Sequence, residues 1–217
     1  MIVDKWNEYD KIGIGVGSYT VTSELKKYIK GRVLEFGCGH GKLMNLLNEA
    51  DEKFGIDLSS SAIGYAKKQN PKAHLFVRDV GKTEFPNDYF DAVYSIEVIE
   101  HISNPEIMLS EMKRVLKPGG YAFIQTPNYP IKRLYDLIYR LRGQRDNFKD
   151  DYTHVYKFSY RSLKMISEKY FTIVDVFSRN ILGENIIPFI KKIRLQKTRS
   201  SLLLGQKTVI VLRKDII

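Results

Sequence analysis

Short runs of consecutive apolar residues alternate with amphipathic stretches along most of the chain. The apolar runs are rich in Val, Ile and Phe, which is typical of strands buried on both faces, and helical spacing marks the stretches between them. We predict strands at 32–37, 53–58, 74–79, 90–97, 121–127, 171–178 and 207–214. This alternation predicts an α/β fold, a doubly wound and mostly parallel sheet with helices on both faces.

Helices are predicted in the amphipathic stretches between these strands. The serines that open the stretch 59–69 are typical N-caps, and "KPGG" is expected to end the helix that begins at Asn104. In the helix after the first strand, Leu43, Leu46 and Leu47 are expected to face inward. The predicted helices are 20–30, 41–50, 59–69, 104–116 and 160–170, with a further helical segment before the last strand.

Three glycines at alternate positions follow the first predicted strand, in the stretch "VLEFGCGHG". Gly37, Gly39 and Gly41 lie between a strand and a helix, where a doubly wound sheet binds its ligands. Asp57 ends the second strand 20 residues beyond Gly37, the position from which a carboxylate binds both hydroxyls of an adenosine ribose. A cofactor that contains adenosine is therefore predicted, and a tight turn without a ligand is the alternative.

Five motifs in a fixed order extend this pattern over roughly residues 30 to 128. They are "VLEFGCGHG", "GIDLS", "VRDV", "FDAVYSIEVIEHI" and "RVLKPGGYAFIQTPN", and together they resemble the class I S-adenosylmethionine-dependent methyltransferases. The glycine spacing E-x-G-x-G-x-G differs from the dinucleotide spacing G-x-G-x-x-G, which disfavours an NAD-dependent oxidoreductase. The resemblance implies a Rossmann-like sheet of seven strands, of which the last is antiparallel.

The resemblance also implies a role for each residue of the cofactor site. Glu35 and the Gly37–Gly41 loop would hold the methionine part of S-adenosylmethionine, with Glu35 near its ammonium group. Asp57 would bind the ribose hydroxyls, Asp79 would accept from the adenine amino group, and Ile96 would line the pocket.

The stretch "EVIEH" places Glu97, Glu100 and His101 at spacing i, i+3, i+4, so the three would share one face of a helix. Together with His154, two carboxylates and two imidazoles can bind a divalent cation such as Mg²⁺. Ubiquinone O-methyltransferases and small-RNA 2′-O-methyltransferases look similar at this point. A metal site, a base formed by His101 or His154 without metal, and a structural role all remain open.

An insertion at about 129–160 follows the fifth strand, inside a single predicted domain that covers 1–217. Its apolar residues recur at helical spacing between basic residues, which suits an anionic membrane, a lipophilic acceptor, RNA or a simple lid. The apolar positions are Ile131, Leu134, Tyr135, Ile138 and Leu141, and the basic ones are Lys132, Arg133, Arg140 and Arg142.

The surplus of positive charge is confined to the last part of the chain. Residues 129–217 hold 19 Lys and Arg against 8 Asp and Glu, and a second basic run lies at 190–199. This surplus favours a negatively charged partner, and an anionic membrane surface ranks above nucleic acid because no RNA-binding motif accompanies it. The oligomeric state is not encoded in any pattern that we recognise.

Composition narrows the cellular location. A single cysteine, Cys38, excludes an internal disulfide and fits the reducing cytoplasm, and no signal peptide or bilayer-spanning run is expected. We therefore predict a cytoplasmic enzyme, peripheral at the membrane if the basic segments bind there. Its predicted reaction is O- or N-methylation of a small anionic or lipophilic acceptor. The alternatives are an RNA 2′-O-methyltransferase and a cofactor-binding regulator without activity.

Overall fold

The computed structural model of the chain describes residues 26–48, 50–141, 153–181 and 205–216. The strands of this part are β1 Gly31–Phe36, β2 Ala50–Asp57, β3 His74–Val77, β4 Phe90–Ile96, β5 Leu116–Pro127, β6 Thr172–Ile181 and β7 Gly205–Arg213. The α-helices are α1 Ser60–Gln69, α2 Pro105–Val115, α3 Tyr129–Leu141 and α4 Tyr160–Ser167. Two short 3₁₀ turns cover Met44–Leu46 and Ile99–His101.

The seven strands form one sheet in the order β3-β2-β1-β4-β5-β7-β6. Strand β1 pairs in parallel with β2 and with β4, and β2 pairs in parallel with β3. Strand β7 runs antiparallel to β5, since the amide of Asn128 donates to Gln206 while that of Lys214 donates to Gly120. The predicted seven-stranded, mostly parallel sheet with an antiparallel last strand is confirmed.

The described residues group into two compact units. The first unit takes its residues from Met1–Ile96, Glu106–Ala122 and Arg213–Ile217, and the second takes them from Glu97–Pro105 and Phe123–Leu212. In the first unit, the core contains the fully buried Phe36, Ile56 and Tyr94. The predicted single domain over 1–217 stays a prediction.

The stretch after the glycines is not the helix predicted at 41–50. Its described residues, 41–48 and 50, contain only the 3₁₀ turn Met44–Leu46, and β2 already begins at Ala50. Leu43 and Leu47 are buried as predicted, but Leu46 is 41 % exposed, because a single turn cannot bring all three leucines to one face. The Met44 carbonyl accepts from the Leu47 amide at 3.3 Å, which is the i to i+3 bond of a 3₁₀ turn, and also from the Lys53 ammonium at 2.8 Å.

The other predicted elements agree with the structure except at their ends. Helix α2 begins and ends within one residue of the predicted 104–116, but "KPGG" lies inside β5 rather than in a turn before it. Helix α4 ends at Ser167, three residues before the predicted end. Most of the predicted helix 20–30, the helical segment before the last strand and the basic run 190–199 lie outside the described residues.

Candidate functional site

The glycine turn after β1 has a backbone that side chains rarely permit. Gly37, Gly39 and Gly41 have φ angles of 71°, 48° and 71°, all in the left-handed region. A Cβ added at Gly41 would lie 2.6 Å from the Asn70 amide nitrogen, whereas one added at Gly39 would meet no atom within 4 Å. The turn is therefore packed against the protein at Gly41 and open at Gly39, where a ligand can approach the backbone closely.

Asp57, the last residue of β2, is bonded to this turn. Its two carboxylate oxygens accept from the backbone amides of Gly39 at 2.8 Å and of Ser59 at 2.9 Å. The carboxylate thus ties the glycine turn to the start of α1, and its charge lies beside the open backbone at Gly39. The structure brings together the two features that the sequence predicted separately.

Glu35, the second-last residue of β1, carries a buried carboxyl group. The side chain is only 4 % exposed, and its Oε2 accepts from the Tyr94 hydroxyl at 3.1 Å. Burial raises the pKa of Glu35 well above its ordinary value, the Tyr94 hydrogen bond opposes this shift, and the charge of Asp57 adds to it. A cationic group of a ligand would reverse this cost of burial.

Asp79 and Ile96 lie at the ends of strands in the first unit, as predicted. Asp79 is exposed two residues beyond β3, where its Oδ1 accepts from the Gly81 amide at 2.7 Å. Ile96 is half-buried and ends β4. With Glu35, Asp57 and the open backbone at Gly39, these residues fit a zwitterionic cofactor that contains a nucleoside.

The second unit contains the "EVIEH" residues, and here the predicted helix is wrong. Glu97 has a φ of 57°, which no right-handed helix contains, and only Ile99–His101 form a 3₁₀ turn. The Glu97 carboxylate contacts the Lys207 ammonium at 3.2 Å and accepts from the Gln125 amide at 3.3 Å. The three residues therefore do not share one helix face.

Glu100, His101 and His154 nevertheless come together. One ligand atom of each lies within 4.8 Å of the others, a set that excludes Glu97. Glu100 is fully buried, its Oε2 accepts from the Thr126 hydroxyl at 2.9 Å, and its Oε1 has no hydrogen-bond partner within the described ranges. Burial, and then the charge of Glu97, raise the pKa of Glu100 well above its ordinary value.

Sequence reasoning missed four polar residues that contact the predicted site residues: Tyr94 contacts Glu35, Thr126 contacts Glu100, Thr153 contacts His101 and Tyr129 contacts His154. Tyr94 and Thr126 lie in strands that the sequence indicates only as apolar and buried, and Thr153 and Tyr129 belong to the insertion. A tyrosine inside a buried strand is itself a signal, because its hydroxyl needs a hydrogen-bond partner there. The contacts of Thr126, Thr153 and Tyr129 join segments that are distant in the sequence, so they leave no local pattern in it.

A sheet of this topology, with a glycine turn after β1 and an acid at the end of β2, defines a Rossmann-like α/β protein with a candidate nucleoside-binding site. The family model described as "Methyltransferase domain" matches residues 20–174, so the chain belongs to this methyltransferase family. The resemblance stated from the sequence motifs is thereby confirmed.

Similar proteins agree with this membership. The chain is 38% identical over 126 residues to a fatty-acid O-methyltransferase of Mycolicibacterium smegmatis, covering 52% of this chain and 46% of that protein. It is 33% identical over 116 residues to a ubiquinone biosynthesis O-methyltransferase of Dechloromonas aromatica, covering 49% of each. The crystal structure of a SAM-dependent methyltransferase from Archaeoglobus fulgidus has a TM-score of 0.63 at 24% identity, covering 87% of this chain and 89% of that chain.

The matches to curated proteins cover only part of each protein. The chain spans about half the length of the curated relatives it matches. Membership in the family implies S-adenosylmethionine as the cofactor, as the motifs predicted, whereas nothing in these comparisons supports Mg²⁺. Among the helices that the structure describes, none has the length and apolarity needed to cross a bilayer.

Proposed function

We propose that this chain transfers a methyl group from S-adenosylmethionine to an oxygen atom of a small, lipophilic acceptor. The observation that carries the proposal is the cluster of Glu100, His101 and His154 in the second unit. Support for an oxygen acceptor comes from two relatives, one described as a fatty-acid and one as a ubiquinone biosynthesis O-methyltransferase.

The first unit would bind the cofactor, which supplies a methyl carbon on a positively charged sulfur. Ionised Glu35 pairs with the ammonium group, and its burial makes this ion pair stronger than one in water. Asp57 accepts from the ribose hydroxyls while it keeps the Gly39 turn in place. Asp79 accepts from the adenine amino group, and Ile96 supplies apolar contact. These residues bind and orient the cofactor and do not react.

The second unit would handle the proton of a hydroxyl acceptor. S-adenosylmethionine would supply the methyl group and keep the electron pair of the broken sulfur–carbon bond on its sulfur. His101 would accept the hydroxyl proton of the acceptor on an imidazole nitrogen. A neighbouring imidazolium lowers the pKa of Glu100, and the ionised Glu100 carboxylate in the same cluster would stabilise that imidazolium. A carboxylate acceptor has no such proton to remove and does not need this base.

A methyl-transfer assay with one hydroxyl and one carboxylate acceptor tests this proposal. We expect His101→Ala to lower hydroxyl methylation at least about a hundredfold, which is the usual contribution of a general base, while cofactor binding is unchanged. His74→Ala is the matched control, because His74 lies in the first unit, where its ring stacks on Phe54. A folded His101→Ala protein with wild-type hydroxyl methylation would refute the proposed base.

A divalent cation is a second candidate for the same cluster, favoured by the buried Glu100 Oε1 without a partner in the described part of the chain. Glu100, His101 and His154 would be its ligands, and Mg²⁺ would polarise an acceptor oxygen there. Glu97, which the sequence also suggested, contacts Lys207 instead. Activity that disappears with a chelator and returns with Mg²⁺ would favour the metal, and activity indifferent to the chelator would exclude it.

The second unit would also provide the binding surface for an anionic membrane. On α3, Leu134, Leu137 and Leu141 are 44%, 48% and 79% exposed; we call them the leucine stripe. The stripe lies in the part of the sequence that holds the positive surplus, 19 basic residues against 8 acidic ones. Exposed leucines beside basic charge are what an interfacial helix presents to anionic lipid.

Co-sedimentation with anionic and neutral vesicles, beside a gel shift with RNA, separates the membrane from the nucleic-acid alternative. We expect salt-sensitive retention on anionic vesicles that is lost when Leu134 and Leu137 are changed to Ser. Met165→Ser is the control, since Met165 is an exposed apolar residue on α4. Binding to RNA but not to vesicles would favour the RNA methyltransferase, and binding to neither at low salt would refute an anionic partner.

A further inference from the structure

The Nδ1 atom of His101 is within hydrogen-bonding distance of two atoms of Thr153. The Thr153 hydroxyl is 2.9 Å away, and the Thr153 backbone carbonyl is 3.1 Å away. The hydroxyl can donate or accept, but a carbonyl oxygen only accepts, so the contact with the carbonyl favours a proton on Nδ1 when the ring is neutral. The lone pair of neutral His101 is then on Nε2, the nitrogen that a base must use.

Thr153 is itself held in place beside this ring. The residue is 1% exposed, so its contacts with His101 are shielded from water. Three residues later, the amide of Tyr156 donates to the carbonyl of Glu100 at 2.9 Å. The segment 153–156 is therefore bonded to two adjacent residues of the 3₁₀ turn, one through a side-chain ring and one through the backbone.

His154 is fixed in a similar way, by a residue of α3. Its Nδ1 forms a hydrogen bond with the hydroxyl of Tyr129, a side chain that is 4% exposed. The backbone amide of Tyr129 donates in turn to the Phe158 carbonyl at 2.9 Å. The His154 and His101 rings meet edge to face, with centroids 4.7 Å apart at 70°. Each imidazole thus has its Nδ1 engaged by a neighbouring side chain, which restrains the orientation of the ring.

We propose that Thr153 and Tyr129 are positioning residues that fix the ring orientation of His101 and His154, with Thr153 selecting the Nδ1–H tautomer of His101. This inference rests on the proposed O-methyl transfer, in which His101 accepts the acceptor proton. Neither residue touches the acceptor. Their effect is to keep Nε2 of each ring directed to one place, so that no ring rotation or tautomer exchange precedes the reaction.

Nitrogen NMR of the full chain labelled at its imidazoles tests the tautomer without any acceptor. The four histidines are assigned with single His→Gln variants, and the two nitrogen shifts of each neutral ring report which atom carries the proton. We expect His101 in the Nδ1–H form in the wild type, in Thr153→Val and in Thr153→Ser, because all three keep the backbone carbonyl of residue 153 that accepts from Nδ1. A mixture of tautomers in a folded Thr153→Val protein would overturn selection by this carbonyl. A wild-type protein with His101 in the Nε2–H form would overturn the proposal, whether or not the chain methylates anything.

Steady-state kinetics with a hydroxyl acceptor test the consequence. Losing one hydrogen bond that orients a base should lower kcat about tenfold in Thr153→Val and in Tyr129→Phe, with the KM for S-adenosylmethionine unchanged. Thr153→Ser should restore kcat to within about twofold, because it keeps the hydroxyl that bonds the ring. Tyr156→Phe is the matched control, since its side chain is 42% exposed and its backbone bond to Glu100 remains.

Each result has a distinct reading. Folded Thr153→Val and Tyr129→Phe proteins with wild-type kcat would overturn the positioning role. A raised KM for the cofactor with unchanged kcat would overturn it as well, because orientation of the base does not act on cofactor binding. If no acceptor is methylated by the wild type, the proposed function fails, and the NMR result still decides whether Thr153 sets the His101 tautomer.

Discussion

Replacing Asp57 tests the cofactor site most directly, because its carboxylate has two separable tasks. It accepts from the Gly39 and Ser59 amides at 2.8 and 2.9 Å, and it is expected to bind the ribose hydroxyls of the cofactor. Asp57→Ala removes both tasks. Asp57→Asn keeps one carbonyl oxygen, enough for one of the two backbone amides, and removes the charge.

The size of the effect follows from these contacts. A hydrogen bond to a charged group contributes about 1.5–3 kcal/mol, so the loss of ribose binding alone should weaken cofactor affinity at least tenfold. In Asp57→Ala the Gly39 amide also loses its acceptor, and we expect a further loss of about 1–3 kcal/mol in the free energy of unfolding. Asp57→Asn should lose most of the affinity but less of the stability.

Calorimetry with S-adenosylhomocysteine and thermal melting measure the two quantities on the same samples. Asp51→Asn is the matched control, since Asp51 is an exposed aspartate of the same strand β2. Binding by Asp57→Ala with unchanged affinity would refute the assignment of the ribose site. Equal stability of the Ala variant and the wild type would show that the Gly39 turn does not depend on this carboxylate.

Three further predictions concern the first unit. Gly55→Ala should lower the free energy of unfolding by about 1–3 kcal/mol in chemical denaturation, because the new Cβ would lie 2.2 Å from the Met44 Cε; full stability would contradict this packing. Burial alone would raise the pKa of Glu111, but hydrogen bonds from Arg114 and Thr83 lower it below the ordinary 4.5. The stabilisation from Glu111 is therefore present above that value and lost as the pH falls, so the stability deficit of Glu111→Gln in denaturant titrations should shrink in acid; a deficit independent of pH would refute it. Since burial raises the pKa of Glu35, calorimetric affinity for S-adenosylhomocysteine should increase as the pH rises and Glu35 ionises, and Glu35→Gln should lack this increase.

The sequence by itself determined the sheet and the position of the candidate cofactor-binding residues. Strands buried on both faces produce continuous apolar runs, and a left-handed turn beside a ligand needs glycine, so both leave a local pattern. Gly37–Gly41 and Asp57 could therefore be placed before any coordinates were known. The same local reasoning failed for residues 41–50, where the leucines have helical spacing but the described residues form a single 3₁₀ turn that leaves Leu46 exposed.

Only the tertiary structure decided which residues meet around the histidines. Spacing placed Glu97 with Glu100 and His101, but a left-handed backbone at Glu97 turns its carboxylate to Lys207, which is 110 positions away in the sequence. His154, which the sequence also suggested, does lie in the cluster, and the nearby amide of Tyr156 is bonded to the Glu100 carbonyl. Hydrogen bonds between distant segments depend on how the chain folds back on itself, and they impose no periodicity on the sequence. The sequence thus shows carboxylates and imidazoles that could serve proton or metal chemistry, but only the folded protein shows that Glu100, His101 and His154 are the ones that lie together.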